Sequence, residues 1–104
     1  MIVMFVAAAM MMQGASDDLR SAYRSCLNSA VSSAKSANVG VDGFKDYAHK
    51  TCSAYEESFK AKLVSFNVKN GMSRKAAADD AQVQLDDYVY TAEERYRYSV
   101  ESPQ

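Results

Sequence analysis

The positions of the helix-breaking residues constrain the fold of this chain more than any other feature of its sequence. Among its 104 residues there are four glycines and one proline. Gly40 and Gly43 lie close together, Gly71 stands alone, Gly14 lies near the N-terminus and Pro103 near the C-terminus. Helical periodicity fills the long stretches between them. The sequence therefore predicts three helices, over about residues 17–38, 43–69 and 74–100.

Each predicted helix has an apolar face made of residues spaced three or four apart. In the first helix this face is mostly small: Leu19, Tyr23, Cys26, Ala30, Ala34 and Ala37. In the second it is mostly aromatic: Phe44, Ala48, Cys52, Tyr55, Phe59, Leu63 and Phe66. In the third it comprises Ala77, Ala81, Leu85, Tyr88, Ala92 and Tyr96. Because short connections make consecutive helices antiparallel, we expect an all-α, up-down-up three-helix bundle.

Capping residues mark the expected ends of these helices. Asp17 or Asp18 suits the start of the first helix, where a carboxylate accepts hydrogen bonds from free backbone N–H groups. Gly40 is expected to end that helix by adopting a positive φ. Asn70 and Gly71 are expected to stop the second helix, and Ser73 to cap the third.

Cys26 and Cys52 are the only cysteines, and they lie at similar distances on either side of Gly40. In an antiparallel hairpin they reach a similar height on the facing sides of helices one and two. Small neighbours such as Ala22 and Ala48 allow the Cα atoms to approach to the roughly 6 Å that a disulfide needs. We therefore predict a Cys26–Cys52 disulfide, which contributes about 3.5 kcal/mol in a chain-entropy model.

The N-terminal residues resemble an export leader. The first twelve residues are uncharged and apolar, and the small residues Gly14, Ala15 and Ser16 follow shortly after. Such a run is typical of a signal peptide, and it is shorter than the about 20 residues that span a bilayer. No Lys or Arg precedes Arg20, so either translation starts upstream or the leader is atypical. We predict a signal peptide over residues 1–15 and one helical domain over residues 16–104, with a buried N-terminal helix or strand as the alternative.

The charges are nearly balanced, with 12 Lys and Arg against 13 Asp and Glu. Nucleic-acid binding favours a basic stripe, and attachment to anionic membranes favours clustered basic residues. We therefore expect no nucleic-acid partner and no stable membrane insertion once the leader is removed. Two cysteines that pair with each other in an exported chain predict a periplasmic or secreted protein.

Several short motifs are similar to those of a group of small exported helical proteins of Alphaproteobacteria. The motifs are Ala22-x-x-x-Cys26, Val41-Asp42-Gly43-Phe44, Ala48-x-x-x-Cys52, and Asn70-Gly71-Met72-Ser73-Arg74-Lys75-Ala76-Ala77-Ala78 followed by Asp86-Asp87-Tyr88. The resemblance covers most of the chain after the leader. It implies an exported, helical protein and brings no assigned activity and no functional residues.

His49 is the only histidine, and Asp46, His49 and Cys52 follow one another at three-residue steps. A zinc site needs four ligands, or three and a water molecule, and no second cluster completes this set. A Cys52 nucleophile activated by His49 needs a free thiol, which pairing with Cys26 removes. We expect no catalytic residue, no metal site and no cofactor. A thiol- or metal-dependent activity at Cys26, Cys52 and His49 is the less favoured alternative.

Paired acidic residues recur every seven positions on the third helix: Asp79-Asp80, Asp86-Asp87 and Glu93-Glu94. We interpret them as a solvated helix face with intrahelical ion pairs such as Lys75–Asp79 and Glu93–Arg97. The alternative is a ridge that binds a cation or a basic partner.

Apolar residues that fall away from the predicted core are the candidate contact residues. They are Val64 and Val68 on the second helix and Val83 and Tyr90 on the third. Exposed apolar residues are ordinary when single, whereas a contiguous patch marks a contact surface. We therefore expect a non-enzymatic exported protein with a binding, structural or stress role in the cell envelope, acting through a protein partner or as a homodimer. A holdase-type envelope chaperone is the alternative function.

Overall fold

Helices account for nearly all of the described chain. A computed structural model describes the backbone of residues 2–101 and the side chains of residues 17–101. The elements are α1 (Ile2–Ser36), a 3-10 turn (Val41–Gly43), α2 (Phe44–Thr51), α3 (Ser53–Lys69) and α4 (Arg74–Glu101). No strand occurs within residues 2–101, and the predicted all-α class is confirmed.

The first helix extends further toward the N-terminus than we predicted. α1 begins at Ile2 rather than near Asp17, so Asp17 lies inside the helix and does not cap it. Its carboxylate instead accepts a hydrogen bond from Arg20 one turn later, at 3.3 Å. The side chains of the predicted signal peptide, residues 1–15, lie outside the described residues. Of the helices that the structure describes, none is both long enough and apolar enough to cross a membrane.

Two similar turns end α1 and α3, but only one uses the glycine that we predicted. At the end of α1, Asn38 adopts the positive φ of 58°, whereas Gly40 is extended, with φ −65° and ψ 153°. Asn is the non-glycine residue best suited to this conformation, and the backbone bond from Val39 N to Ala34 O (3.0 Å) closes the turn. At the end of α3, Gly71 has a φ of 102°, as expected.

The predicted start of the last helix is confirmed. Ser73 precedes α4, and its Oγ accepts a hydrogen bond from the backbone N of Ala76 at 3.1 Å. This bond satisfies one of the backbone N–H groups that a helix leaves free in its first turn.

The second predicted helix is divided in two, so the prediction of a three-helix bundle was wrong. Cys52, with φ −109° and ψ 16°, separates α2 from α3, and the described chain contains four α-helices. Cys52 forms the predicted disulfide with Cys26, and the Cα atoms are 5.9 Å apart. Because Cα atoms lie about 2.3 Å from a helix axis, this separation fits helices packed at the usual axis distance of about 8–10 Å. The break falls at the residue that the disulfide holds against α1.

The buried side of the chain changes at the break. Phe44 in α2 and both Phe59 and Leu63 in α3 are buried, as predicted. Tyr55 and Phe66, which we placed in the core, are 49% and 52% exposed. A continuous helix would keep all five residues on one face. The interruption at Cys52 gives α3 a different rotation about its axis, which leaves Tyr55 and Phe66 at the surface.

The core draws on all four helices and combines small residues with aromatic ones. Phe44 stacks on Tyr96, with ring centroids 4.7 Å apart. Tyr23 lies 5.9 Å from Phe59 and 6.0 Å from the partly buried Tyr88. The buried residues are Tyr23, Leu27, Ala30, Ala34, Phe44, Ala48, Cys52, Phe59, Leu63, Ala77, Ala81, Leu85, Val89, Ala92 and Tyr96. Our prediction omitted Leu27 in α1 and Val89 in α4, because each of these two helices contacts the other three and therefore buries a wider arc than one stripe.

Candidate functional site

Val83 and Tyr90 are exposed apolar residues on the surface of α4 that points away from the core. Val83 is 61% exposed and Tyr90 is 60% exposed, and they are seven residues apart on the helix. Seven residues are nearly two turns, so both side chains lie on the same side of α4. Asp86 and Asp87 lie between them in the sequence and are also exposed. We call the surface formed by Val83, Asp86, Asp87 and Tyr90 the α4 outer face.

The acidic residues along α4 are partly engaged by neighbouring side chains. Lys75 Nζ donates to Asp79 Oδ2 at 3.2 Å, as predicted. Gln82 Nε2 donates to Asp86 Oδ1 at 3.0 Å. Arg97 pairs with Glu94 at 3.2 Å rather than with Glu93.

Asp80 accepts hydrogen bonds from two amide side chains, one on each side of the turn between α3 and α4. Asn67 Nδ2 in α3 and Gln84 Nε2 in α4 both donate to Asp80 Oδ2 at 3.1 Å. Within residues 17–101 no ion pair involves Asp86 or Asp87. The acidic charge near Val83 and Tyr90 therefore faces solvent without a basic partner from the described chain.

The four candidate contact residues occupy different environments. Val83 and Tyr90 lie together on the α4 outer face. Val64 is partly buried and packs against the core, and Val68 is also partly buried. The structure therefore brings two of the four residues onto one exposed surface and gives Val64 a place in the packing between helices.

Tyr55 and Phe66 add exposed apolar area on α3 that the sequence did not lead us to expect. They are eleven residues apart, close to three helical turns, and therefore share one side of α3. Their periodicity alone assigns them to the core together with Phe59. They are exposed because α3 is rotated about its axis after the break at Cys52.

A small hydrogen-bonded cluster lies beside the disulfide. The Tyr23 hydroxyl donates to Glu56 Oε2 at 3.3 Å, and His49 Nδ1 donates to the same oxygen at 2.9 Å. Tyr23 is fully buried, whereas His49 and Glu56 are partly exposed. Burial, reinforced by the Glu56 carboxylate, raises the pKa of the Tyr23 phenol well above its ordinary range. The phenol therefore stays protonated at neutral pH and links α1 to α3.

The alternative site at Cys26, Cys52 and His49 has the following geometry. The two sulfur atoms are bonded to each other, and neither is a thiolate in this form. His49 is hydrogen-bonded to Glu56, which lies one turn beyond Cys52. Across residues 17–101 no three His, Cys, Asp or Glu side chains come close enough to hold a metal ion.

Comparison of the chain with protein-family models, with curated proteins and with solved structures finds no match.

Proposed function

We propose that this chain is a non-enzymatic exported protein that binds a protein partner in the cell envelope through the α4 outer face. The observation that carries the proposal is that exposed Val83 and Tyr90 lie beside the carboxylates of Asp86 and Asp87, which form no ion pair within residues 17–101. An exposed tyrosine can bury its ring in a contact while its hydroxyl stays hydrated, and it is enriched in interfaces for that reason.

Export is supported by two features of the chain. The apolar N-terminal residues and the small residues after them are typical of a leader. The Cys26–Cys52 bridge fits an oxidising compartment, where disulfides persist. The resemblance to exported alphaproteobacterial proteins agrees with both. These features support the proposal that the mature protein is periplasmic or secreted.

The charges around the outer face favour a basic partner over a second copy of this chain. If two α4 helices paired antiparallel with Val83 of one copy opposite Tyr90 of the other, the two-fold axis would pass between residues 86 and 87. The carboxylates of Asp86 and Asp87 from both copies would then meet at the axis, and like charges at close range oppose association. A partner segment with apolar residues flanked by Lys or Arg would instead complement this face.

The test combines cross-linking with re-binding of the recovered protein. The chain is cross-linked in cells that naturally make it, and the captured protein is purified and titrated against the wild type and a Val83→Ser/Tyr90→Ser variant. Tyr98→Ser serves as the matched control, because Tyr98 is also on α4 and is 73% exposed. We expect the double variant to weaken binding by about tenfold or more, and the control to leave it unchanged.

Two results would contradict this proposal. One is equal binding by the wild type and the Val83→Ser/Tyr90→Ser variant. The other is a dimer of the chain, measured by sedimentation, that the same variant dissociates, because this would assign the face to a second copy.

A holdase-type chaperone is the second candidate, and the exposed rings of Tyr55 and Phe66 favour it. Together with the α4 outer face they give the protein apolar surface on two different helices. A holdase suppresses aggregation of unrelated unfolded proteins, and a Tyr55→Ser/Phe66→Ser variant should do so less well. Absence of any suppression by the wild type would exclude this function.

A thiol-dependent activity at Cys26 and Cys52 requires both residues to be reduced. Alkylation followed by intact-mass measurement on protein taken from its native compartment distinguishes the two states. We expect no alkylation without a reductant, because the cysteines are bridged. Full alkylation of the native protein would instead favour the thiol-dependent alternative.

A further inference from the structure

A groove between α1 and α4 lies on a different side of the molecule from the α4 outer face. It has a volume of about 340 Å³ and is open to solvent. This volume is at the lower end of the range of about 300–1,000 Å³ that small-molecule sites occupy. Its lining residues are Arg24, Leu27, Asn28, Tyr88, Thr91, Ala92 and Arg95.

The charge in this groove is positive. Arg24 comes from α1 and Arg95 from α4, and none of the described lining residues carries a carboxylate. Over residues 17–101 neither arginine forms an ion pair. Arg95 Nη1 donates to the side-chain oxygen of Asn28 across the helix interface, which positions its guanidinium beside α1. Two guanidinium groups brought to one site repel each other unless an anion lies between them.

The nearest carboxylates line neighbouring depressions: Asp17 shares one with Arg24, and Glu94 and Glu101 share another with Arg95. Asp17 pairs with Arg20 at 3.3 Å, and Glu94 pairs with Arg97 at 3.2 Å. Asp87 lies beside Tyr88 and Thr91 in a neighbouring depression and belongs to the α4 outer face. None of these carboxylates lines the groove itself, whose lining carries two arginines although the whole chain has a net charge of −1.

The floor of the groove is apolar, and a few polar groups surround it. Leu27 and Ala92 are 3% and 2% exposed, and the Tyr88 ring is partly buried against the core. Asn28 and Thr91 provide polar side chains at the rim. An apolar floor with a small number of charged groups at fixed positions is the usual composition of a small-molecule site.

We propose that this groove binds a phosphate monoester with a small apolar or aromatic body. Arg24 and Arg95 bind the phosphate, and Leu27, Tyr88 and Ala92 contact the apolar body. A phosphate monoester carries a charge of about −1.5 to −2 at neutral pH, which matches two guanidinium groups better than a single carboxylate does. Guanidinium groups also donate paired, parallel hydrogen bonds to phosphate oxygens. The proposal does not depend on the function of the α4 outer face.

Phenyl phosphate is a suitable probe, because it joins a phosphate group to a small aromatic ring. Calorimetric titration at low salt would compare it with inorganic phosphate, benzoate and phenol. We expect phenyl phosphate to bind most tightly, because inorganic phosphate lacks the apolar body, benzoate has one charge and phenol has none. Amide resonances of Asn28 and Thr91 should shift on binding. Benzoate binding as tightly as phenyl phosphate, or no detectable binding of phenyl phosphate, would overturn the proposal.

Substitutions separate a defined site from general attraction to positive charge. Arg24→Gln and Arg95→Gln should each weaken phenyl phosphate binding about tenfold. Arg74→Gln is the control, because Arg74 is exposed at the start of α4 and does not line the groove. It should leave binding unchanged. Equal affinity of Arg24→Gln, Arg95→Gln and the wild type would overturn the proposal, as would an equal loss in Arg74→Gln.

The phosphate can come from a soluble metabolite or from a lipid headgroup, and a vesicle experiment distinguishes these sources. Vesicles of phosphatidylcholine with and without phosphatidic acid are sedimented with the wild type and with Arg24→Gln. The small volume of the groove favours a soluble ligand, so we expect no sedimentation. Sedimentation that requires both phosphatidic acid and Arg24 would support the same phosphate site and identify a lipid as its source.

Discussion

The two sides of α4 have the same spacing of apolar residues but different surroundings. On the inner side Leu85, Val89 and Tyr96 are buried by α1, α2 and α3. On the outer side Val83 and Tyr90 are as regularly spaced, yet no helix of the described chain covers them. Burial of apolar area is what stabilises the fold, so the inner side should determine stability. The outer side should determine binding and contribute little to stability.

The largest expected effect comes from the inner side. Leu85 is fully buried, and Leu85→Ala should lower the free energy of unfolding by about 2–5 kcal/mol, because it removes buried methyl groups and leaves a cavity. Urea denaturation followed by circular dichroism measures this loss. A loss below about 1 kcal/mol would show that the inner side is not tightly packed.

The disulfide should contribute nearly as much to the free energy of unfolding as the side chain of Leu85 does. A double Cys26→Ala/Cys52→Ala variant should lose about 3.5 kcal/mol, because the bridge closes a loop with a sequence separation of 26 residues. Denaturation of the wild type with and without a reductant gives an independent value. Unchanged stability in both experiments would show that the bridge does not stabilise the fold. The folded fraction of the double variant should still bind the partner of the α4 outer face.

A smaller effect concerns the buried phenol of Tyr23, and it depends on pH. Its pKa is raised in the folded state, mainly by burial, so the folded protein holds this proton more tightly than the unfolded chain does. The associated stability is complete below about pH 10, the unfolded pKa, and is lost at up to about 1.4 kcal/mol per pH unit above it. Tyr23→Phe should cost about 1 kcal/mol at pH 7, because it removes the hydrogen bond to Glu56.

The same variant provides the check on that pH dependence. Tyr23→Phe should lose less stability than the wild type between pH 9 and pH 11, a comparison made by denaturation at each pH. Parallel losses in the two proteins would show that other groups cause the alkaline destabilisation.

The smallest effect on stability should come from the outer side. Val83→Ser and Tyr90→Ser should each change the free energy of unfolding by less than about 0.5 kcal/mol, as is usual for exposed positions. A loss of more than about 1 kcal/mol, measured by the same denaturation experiment, would show that these residues belong to the core. It would remove the distinction between the two sides of α4.

Local sequence signals predicted the features that depend on few residues. Gly71 and Ser73 marked the end of α3 and the start of α4 because each has one dominant local role. The pairing of Cys26 with Cys52 followed from their positions around the turn. The two helix ends depend on neighbours close in the chain, and the disulfide depends on the similar distances of the two cysteines from one turn, so the sequence shows all three directly.

The features that the sequence did not predict depend on contacts between distant residues. The break at Cys52 arises where the chain is held against α1, and no glycine or proline marks it. Tyr55 and Phe66 kept the periodicity of a core stripe, although the rotation of α3 exposes them. The groove at Arg24 and Arg95 also needed the structure, because these residues lie far apart in the sequence.

The most direct test of the central claim is site-specific photo-cross-linking from two exposed tyrosine positions on α4, one on the outer face and one outside it. A photoreactive amino acid is placed at Tyr90 and, separately, at Tyr98, and the protein is irradiated in the cells that naturally make it. The account predicts that one protein with a basic, apolar contact segment is cross-linked from Tyr90 and not from Tyr98. Equal cross-linking from both positions, or cross-linking from Tyr90 only to a second copy of the chain, would contradict it.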